Sequence, residues 1–329
     1  MSILFSHFLS KYNEIRPQEA DFTEVLDTIA LKPKMLYFYG KMPENRAKNS
    51  CQTTKKSALK NVVKVASQRP RVVAVVGSRK PTKYGEEMAY KIAFEAARRG
   101  AVVVSGLAYG IDSIAHRAAL EAGGVTVAVL GTPIDQIYPR AHVGLAEQIV
   151  RQGGAVMSEL APGVVFHPKV SFLERNRLIA GLADVIVIPE AAERSGSLNT
   201  AAHALEQGKE LLAVPGDIQR PLSKGCNRLI KQGAMPCLEV RDVLELLFPE
   251  EFLHRKRSKI ASPPHQVSLP IGDNEVETGI LRSLAQGIQD GEQIIQAEGL
   301  PVSTFNQTMT MLELKGRVKS LGANQWMIR

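Results

Sequence analysis

The sequence predicts an α/β fold in which a doubly wound parallel sheet is followed by a small helical domain. Three observations carry that prediction. Short β-rich apolar runs recur at 72–76, 101–104, 125–130, 155–157, 184–188 and 211–214, with a weaker one near 236–240. Helical patterns lie between them at 86–99, 113–122, 143–152, 197–207, 227–232 and 243–248. Continuous apolar strands separated by amphipathic helices mean a parallel sheet covered on both faces. Beyond residue 274 the pattern changes to consecutive helices with no strand between them.

In chain order, residues 1–40 hold one helical pattern around 22–29 and an aromatic cluster, Tyr37, Phe38 and Tyr39. That is too little for a core of its own, so this short segment is expected to pack on the sheet domain. Residues 41–70 read as a basic linker or insertion. From Lys41 to Arg71 there are nine basic residues and one acid, Glu44, which accounts for the whole formal net charge of +8. A solvated cationic tether of this kind raises the association rate with a polyanion. Residues 71–250 form the Rossmann-like sheet domain. Residues 251–273 are basic, then rich in Pro and Ser, without a period, and read as a linker. Residues 274–329 run helix (276–284), helix (291–298), helix (304–314), then two short strands (318–321 and 325–328), the order of a winged helix. With five basic and six acidic residues this tail lacks the cationic excess of a duplex-binding module. Partner docking or self-association therefore competes with duplex binding there.

Composition narrows the class further. An apolar fraction of 44% and a charged fraction of 22% fit a globular protein. Three cysteines, odd in number and without metal-ligand spacing, point to a reducing compartment. The start lacks the features of a signal peptide, and no apolar run is long enough to span a membrane. A cytoplasmic protein without membrane association is expected.

The stretch 171–216 organises the larger domain. It holds a polar lead, Glu174-Arg175-Asn176-Arg177, an apolar run, a small-residue turn, Ser195-Gly196-Ser197, a helical pattern and a second apolar run. The loop after the first of those strands lies at the carboxyl edge, where open α/β sheets bind ligands. Small residues there let backbone N–H groups approach an anion, and the next helix turns its positive end toward it. Gly77-Ser78-Arg79 closes an earlier strand without the further glycines of a dinucleotide fingerprint or the lysine of a P-loop. Ser105-Gly106 stands where a dinucleotide site would place an acid. These absences argue against NAD and ATP, and neither a cofactor nor a metal is expected. Gly77-Ser78-Arg79 reads equally well as a phosphate grip, with Arg79 offering a planar fork, or as a tight turn with a surface arginine. Gly106 and Gly110 flank another turn. Asp112 is expected to cap the helix that follows and to pair with His116 one turn later. Arg175 and Arg177 clamp a phosphate if exposed, and partner carboxylates such as Glu159 or Glu190 if buried; their spacing leaves both open.

These words together resemble the DNA-processing protein A (DprA/Smf) family. The likeness is carried by Val76-Gly77-Ser78-Arg79 with Thr82 and Gly85, by Ser105-Gly106-Leu107-Ala108 with Gly110-Ile111-Asp112, and by Arg175-Asn176-Arg177 with Ile179. It continues through Ser195-Gly196-Ser197-Leu198 with Thr200, Ala213-Val214-Pro215-Gly216, and Gly225 with Asn227, in unbroken order over about 34–240. The tail resembles the winged-helix domain often found in this family. The resemblance implies a non-catalytic protein that binds single-stranded DNA through its phosphates and protects it. It implies loading of the RecA recombinase onto that DNA in natural transformation, and a homodimer formed through the Rossmann-like domain. Gly77, Ser78, Arg79, Gly106, Gly110, Arg175, Asn176, Ser195, Gly196 and Ser197 would line the DNA pocket, with Arg177 and Lys224 as further basic candidates. The chain departs from the family pattern in its short segment before Lys34, in the basic 41–70 stretch, in Leu173 where a proline is usual, and in Gly131-Thr132-Pro133.

The competing expectation is an enzyme of the nucleotide phosphoribohydrolase (lysine-decarboxylase-like) class on the same type of sheet. Its loop carries a carboxylate after a threonine, whereas here Thr200 is followed at that position by His203. That favours binding without hydrolysis. Aromatics make up 5% of the chain and few fall in the named loops. Phosphate contacts, rather than base stacking, are expected to dominate.

Overall fold

The structure, a computed structural model, describes residues 11–44, 69–252, 273–285, 288–322 and 324–328. Most of the expected insertion at 41–70 and of the linker at 251–273 lies outside the described residues. Two compact units divide the chain, Met1–Phe252 and Leu253–Arg329.

Among the described residues the first unit holds nine strands: β1 Asn13–Ile15, β2 Leu36–Gly40, β3 Val72–Val75, β4 Val102–Ser105, β5 Thr126–Leu130, β6 Ala155–Ser158, β7 Val185–Ile188, β8 Glu210–Ala213 and β9 Met235–Pro236. They form one sheet in the order β1-β2-β6-β5-β4-β3-β7-β8-β9. Among the described residues seven α-helices accompany them: α1 Lys83–Arg98, α2 Ile111–Glu121, α3 Val143–Arg151, α4 Pro168–Leu182, α5 Ser197–Glu206, α6 Lys224–Lys231 and α7 Val240–Leu247. The pairings from β6 through β9 are parallel, and Ala74 of β3 sits between Val104 of β4 and Ile186 of β7.

Each central strand is buried on both faces, which is why its sequence shows no alternation. Val73, Val75, Val103, Val185 and Val187 pack under α1, α2 and α7 with Ile92, Ile111 and Leu244. Val72, Ala74, Val104, Ile186 and Ile188 pack on the other face with Leu178 and Ile179 of α4, Ala201 of α5 and Leu229 of α6. Each fully buried aliphatic side chain stabilises by roughly 1.5–3 kcal/mol.

The sheet departs from the purely parallel expectation at one edge. The aromatic run of the N-terminal segment is β2, which pairs antiparallel with β6, and β1 pairs antiparallel with β2. The expected helix near 22–29 is a 3-10 helix, Glu24–Thr28, whose Leu26 is buried in the main core beside Phe22. The segment thus packs on the sheet domain, as an added edge as well as a cover. The polar lead at 174–177 lies inside α4. The first two turns of α4 lie at the surface and its last two are buried all round, so no apolar stripe marks it in the sequence.

The second unit contains helices α8 Glu275–Ala285, α9 Gly291–Glu298 and α10 Val302–Leu314, followed by the hairpin β10 Val318–Gly322 and β11 Gln325–Ile328. Ile280, Leu281, Ile294, Phe305, Met309, Leu312 and Val318 make its core. The Asp290 carboxylate accepts from the N–H groups of Glu292 and Gln293 to start α9, and Gly299, at φ 62°, ends it. This is the winged-helix order read from the sequence.

Candidate nucleic-acid interface

The chain leaves β3 toward β4 and later returns through α4 to β7 on the other side of β3. The loops after β3 and β7 therefore diverge, and an open α/β sheet binds ligands in the crevice this leaves. That crevice is a cleft of about 380 Å³ lined by Gly77, Ser78 and Arg79 after β3, Asp112 of α2, Phe172, Arg175 and Asn176 of α4, and Ser195, Gly196 and Ser197 at the start of α5.

Its walls are fixed by hydrogen bonds between loops. The Ser78 N–H donates to the Glu190 carbonyl at 2.8 Å. The buried Glu190 carboxylate accepts from the Thr82 N–H at 2.7 Å and the Thr82 hydroxyl at 2.6 Å, so it is a brace rather than a free acid. The Ile111 N–H donates to the Ser78 carbonyl at 3.1 Å. Directly beneath, Gly110 adopts φ 74°, and a Cβ there would stand 2.4 Å from the Ser78 carbonyl oxygen. Only glycine tolerates both the backbone and the contact. Asn176 Nδ2 donates to the Gly196 carbonyl at 3.3 Å and to Asn199 Oδ1 at 3.1 Å, tying α4 to the start of α5. The backbone N–H groups of Gly77, Arg79 and Gly196 have no hydrogen-bond partner among the described residues. Together they offer an anion the kind of donors found at helix starts and backbone nests.

The cleft also concentrates positive charge. Arg175 is 7% exposed. Its Nη1 donates to the Gly106 carbonyl at 2.9 Å and to the Val129 carbonyl, and its Nε donates to Asn176 Oδ1 at 3.3 Å. A Cβ on Gly106 would lie 2.5 Å from that Nη1, so the guanidinium rests on a position only glycine leaves open. Burial pulls the Arg175 pKa down to about 10; the Asp112 carboxylate opposes this, and the Arg79 charge adds to it. Arg175 is still a cation at neutral pH. Arg79 is exposed, carries no ion pair among the described residues, and lies 5.8 Å over the Phe172 ring. Two guanidinium groups that repel each other across one cleft are relieved by a bound anion.

Asp112 and His116 do not behave as expected. Asp112 caps no helix and makes no pair with His116. Its Oδ2 accepts from the Gly106 N–H at 3.1 Å and the Ala108 N–H at 3.4 Å. Burial raises its pKa, while Arg175 and those N–H groups oppose the rise. His116 Nδ1 lies 2.7 Å from Thr126 Oγ1, which itself stands 2.7 Å from the Val103 carbonyl. The single threonine proton goes to that carbonyl, so His116 donates from Nδ1. Burial first, then His142 and Arg175, push its pKa down to about 3.

Of the sequence-derived candidates, eight line the cleft: Gly77, Ser78, Arg79, Arg175, Asn176, Ser195, Gly196 and Ser197. Gly106 lies under Arg175 in an adjoining recess, and Gly110 supports the Ser78–Arg79 turn. Arg177 is a correction. Its Nη2 is 2.7 Å from both oxygens of Glu159, away from the cleft, because residues two apart on a helix face different sides. Lys224 opens α6 as an exposed residue outside the cleft lining.

Sequence reasoning missed the aromatics. Phe172 lines the cleft, and Tyr109 and Tyr138 line the recess beside it, with the Tyr138 and Phe172 rings 5.5 Å apart. Phe172 lies three and four residues before Arg175 and Asn176, the spacing of one helix face. That signal becomes visible once α4 is recognised. His203 faces Glu206 at 3.1 Å and lies outside the cleft lining. No helix among the described residues is long and apolar enough to cross a membrane, and no group of side chains among them is arranged to hold a metal ion.

Comparison with known proteins converges on this architecture. Residues 62–248 match the family model for DNA recombination-mediator protein A, and residues 263–324 match that of the DprA winged helix domain. The chain is 40% identical over 252 residues to protein Smf of Escherichia coli, covering 76% of this chain and 66% of that protein. It is 45% identical over 179 residues to a putative DNA processing protein DprA of Mycobacterium tuberculosis, covering 54% and 45%. It therefore spans between about half and two thirds of the curated relatives' length. The X-ray structure of DprA from Streptococcus pneumoniae superposes with a TM-score of 0.57 at 35% identity, over 74% of this chain and 77% of that one. A Helicobacter pylori DprA structure, described for its single-stranded DNA binding mode, superposes at 0.59 and 30% identity, over 74% of this chain and 98% of that one. With a family model covering more than half of its length and a second matching its tail, the chain belongs to the DNA recombination-mediator protein A (DprA/Smf) family.

Proposed function

We propose that this protein binds single-stranded DNA without acting on it chemically, shields it, and presents it to a RecA-type recombinase in transformation or recombination. It works in the cytoplasm as a homodimer. The observation that carries the reading is the meeting of Arg79 and Arg175 in one cleft with the unpaired N–H groups of Gly77, Arg79 and Gly196. Phosphates bind there, and the contacts carry no base identity. Phe172, with Tyr109 and Tyr138 beside it, adds a sequence-tolerant surface for a base, so stacking contributes more than the composition suggested. The relative from H. pylori, described by its single-stranded DNA binding, supports the ligand class.

A hydrolytic role on the same sheet needs a free carboxylate facing the sugar. Glu190 is fully engaged by Thr82, and Asp112 holds two backbone N–H groups. The test is a gel-shift comparison of single-stranded with duplex DNA, with and without recombinase. Preference for the single strand and faster recombinase filament growth are expected. Release of free base from nucleoside monophosphates by the purified protein would overturn the non-catalytic reading.

A further inference from the structure

The loop joining β8 to α6 lies at the same carboxyl edge as the cleft, one strand further along the sheet. It is tied to the cleft wall: the Ala191 N–H donates to the Leu222 carbonyl at 2.9 Å and the Gly225 N–H to the Ala191 carbonyl at 2.9 Å, while the next residue, Ala192, lines the cleft. The loop is held in one shape. Gly216 N–H donates to Asn227 Oδ1 at 3.2 Å, and Asn227 Nδ2 returns to the Gly216 carbonyl at 2.9 Å. The Ser223 N–H closes the turn on the Arg220 carbonyl at 3.0 Å.

This rigid loop presents Ile218 at 80% exposure, with Arg220 and Lys224 exposed beside it in the chain. One exposed isoleucine is ordinary on a protein surface. Two cations stand beside it. Elsewhere Lys91 and Arg98 of α1, Arg151 of α3 and Arg241 of α7 pair with acids on their own helices. Helix α6 contains no acid, and Lys224 stands in its first turn, where the helix dipole disfavours a cation. Lys224 has no ion pair among the described residues, and Arg220 has only an exposed contact with Asp217 at 3.8 Å. Helix stability explains neither cation, whereas a polyanion leaving the neighbouring cleft explains both.

We propose that the single strand runs across the carboxyl edge, from the Tyr109–Phe172 side over the cleft to the β8–α6 loop, where Arg220 and Lys224 take further phosphates and Ile218 wedges between bases. The distance favours one continuous ligand. Neighbouring strands are about 4.8 Å apart, so the loop after β8 lies roughly 10 Å from the loop after β3 across β7. Apolar side chains inserted between bases, flanked by cations, are a known way to hold unstacked nucleic acid. This inference rests on the cleft binding the strand.

The experiment uses the full chain and two oligothymidines, one of about 4 and one of about 16 nucleotides, the range of single-strand site sizes. Affinity is measured by fluorescence anisotropy against salt for the wild type, Arg79→Ala, Ile218→Ser and the double variant Arg220→Gln/Lys224→Gln. On the long strand the double variant is expected to lower the salt slope by about 1.4, the share of two single-strand phosphate contacts, and Ile218→Ser to weaken binding several-fold with the slope kept. Both are expected to bind the short strand as the wild type does. A wild-type slope for the double variant on the long strand overturns the proposal, as does a change confined to the oligomeric state, which would make the loop a protein interface. If instead Arg79→Ala binds the short strand normally, it is the cleft reading that fails.

Discussion

The carboxyl edge of the sheet and helix α10 of the winged-helix unit are the two surfaces on which folds of these kinds meet nucleic acid, and the chain treats them differently. At the sheet edge it sets Arg79 and Arg175 in one cleft, leaves three backbone N–H groups without partners among the described residues, and uses glycine where a side chain would block the approach. Helix α10 buries Phe305, Met309 and Leu312 and turns Ser303, Asn306, Gln307, Thr310 and Met311 outward, without a single cation. The nearby Lys315 is engaged at 2.7 Å by both Asp273 and Glu277. A helix that enters a major groove needs phosphate contacts around it to hold its register. The contrast teaches that the features suited to a polyanion at the sheet edge are not repeated on the outer face of α10.

Four comparisons sharpen that contrast. Gly110→Val places a side chain against the Ser78 carbonyl at a positive φ that costs about 1–2 kcal/mol by itself. Single-strand binding is expected to fall by more than about tenfold, measured by anisotropy. Arg175→Ala leaves the Gly106 and Val129 carbonyls unpaired in the interior. It is expected to lower stability by about 3 kcal/mol in denaturant melts, whereas Arg79→Ala, at an exposed site, stays within about 0.5 kcal/mol.

The third change concerns pH. His116 is neutral in the folded protein, with its pKa near 3 against 6.5 in the unfolded chain. The unfolded state therefore binds the proton first, and stability is lost as pH falls below 6.5, by about 1.4 kcal/mol per unit. Asp112, with a raised pKa, acts in the opposite sense over its own range. The difference between wild type and His116→Asn isolates the histidine: melts at pH 7 and 5 are expected to show a shallower loss in the variant. Smallest of all, Asn306→Ala/Gln307→Ala on the outer face of α10 is expected to leave the single-strand dissociation constant within twofold.

Much of this architecture was legible in the sequence because the central strands are buried on both faces and their apolar runs are unbroken. The glycine words marked the edge that carries the cleft. Three features were not legible, each for a physical reason. Helix α4 lies at the surface for its first turns and deep in the core for its last, so it has no stripe, and the alignment of Phe172 with Arg175 was hidden with it. Strand β2 reads as an aromatic patch because its role depends on an antiparallel partner more than a hundred residues away, β6. The division of labour between Arg175 and Arg177 depends on which helix face meets the cleft, and residue types alone carry no such information.

The most direct test of the central claim is the salt dependence of single-strand affinity in wild type and Arg79→Ala. A phosphate-reading cleft predicts that the variant binds more weakly and that its log–log slope is smaller by about 0.7, the value of one lost phosphate contact. An unchanged slope, with Arg79→Ala binding as tightly as the wild type, would place the strand elsewhere on the protein.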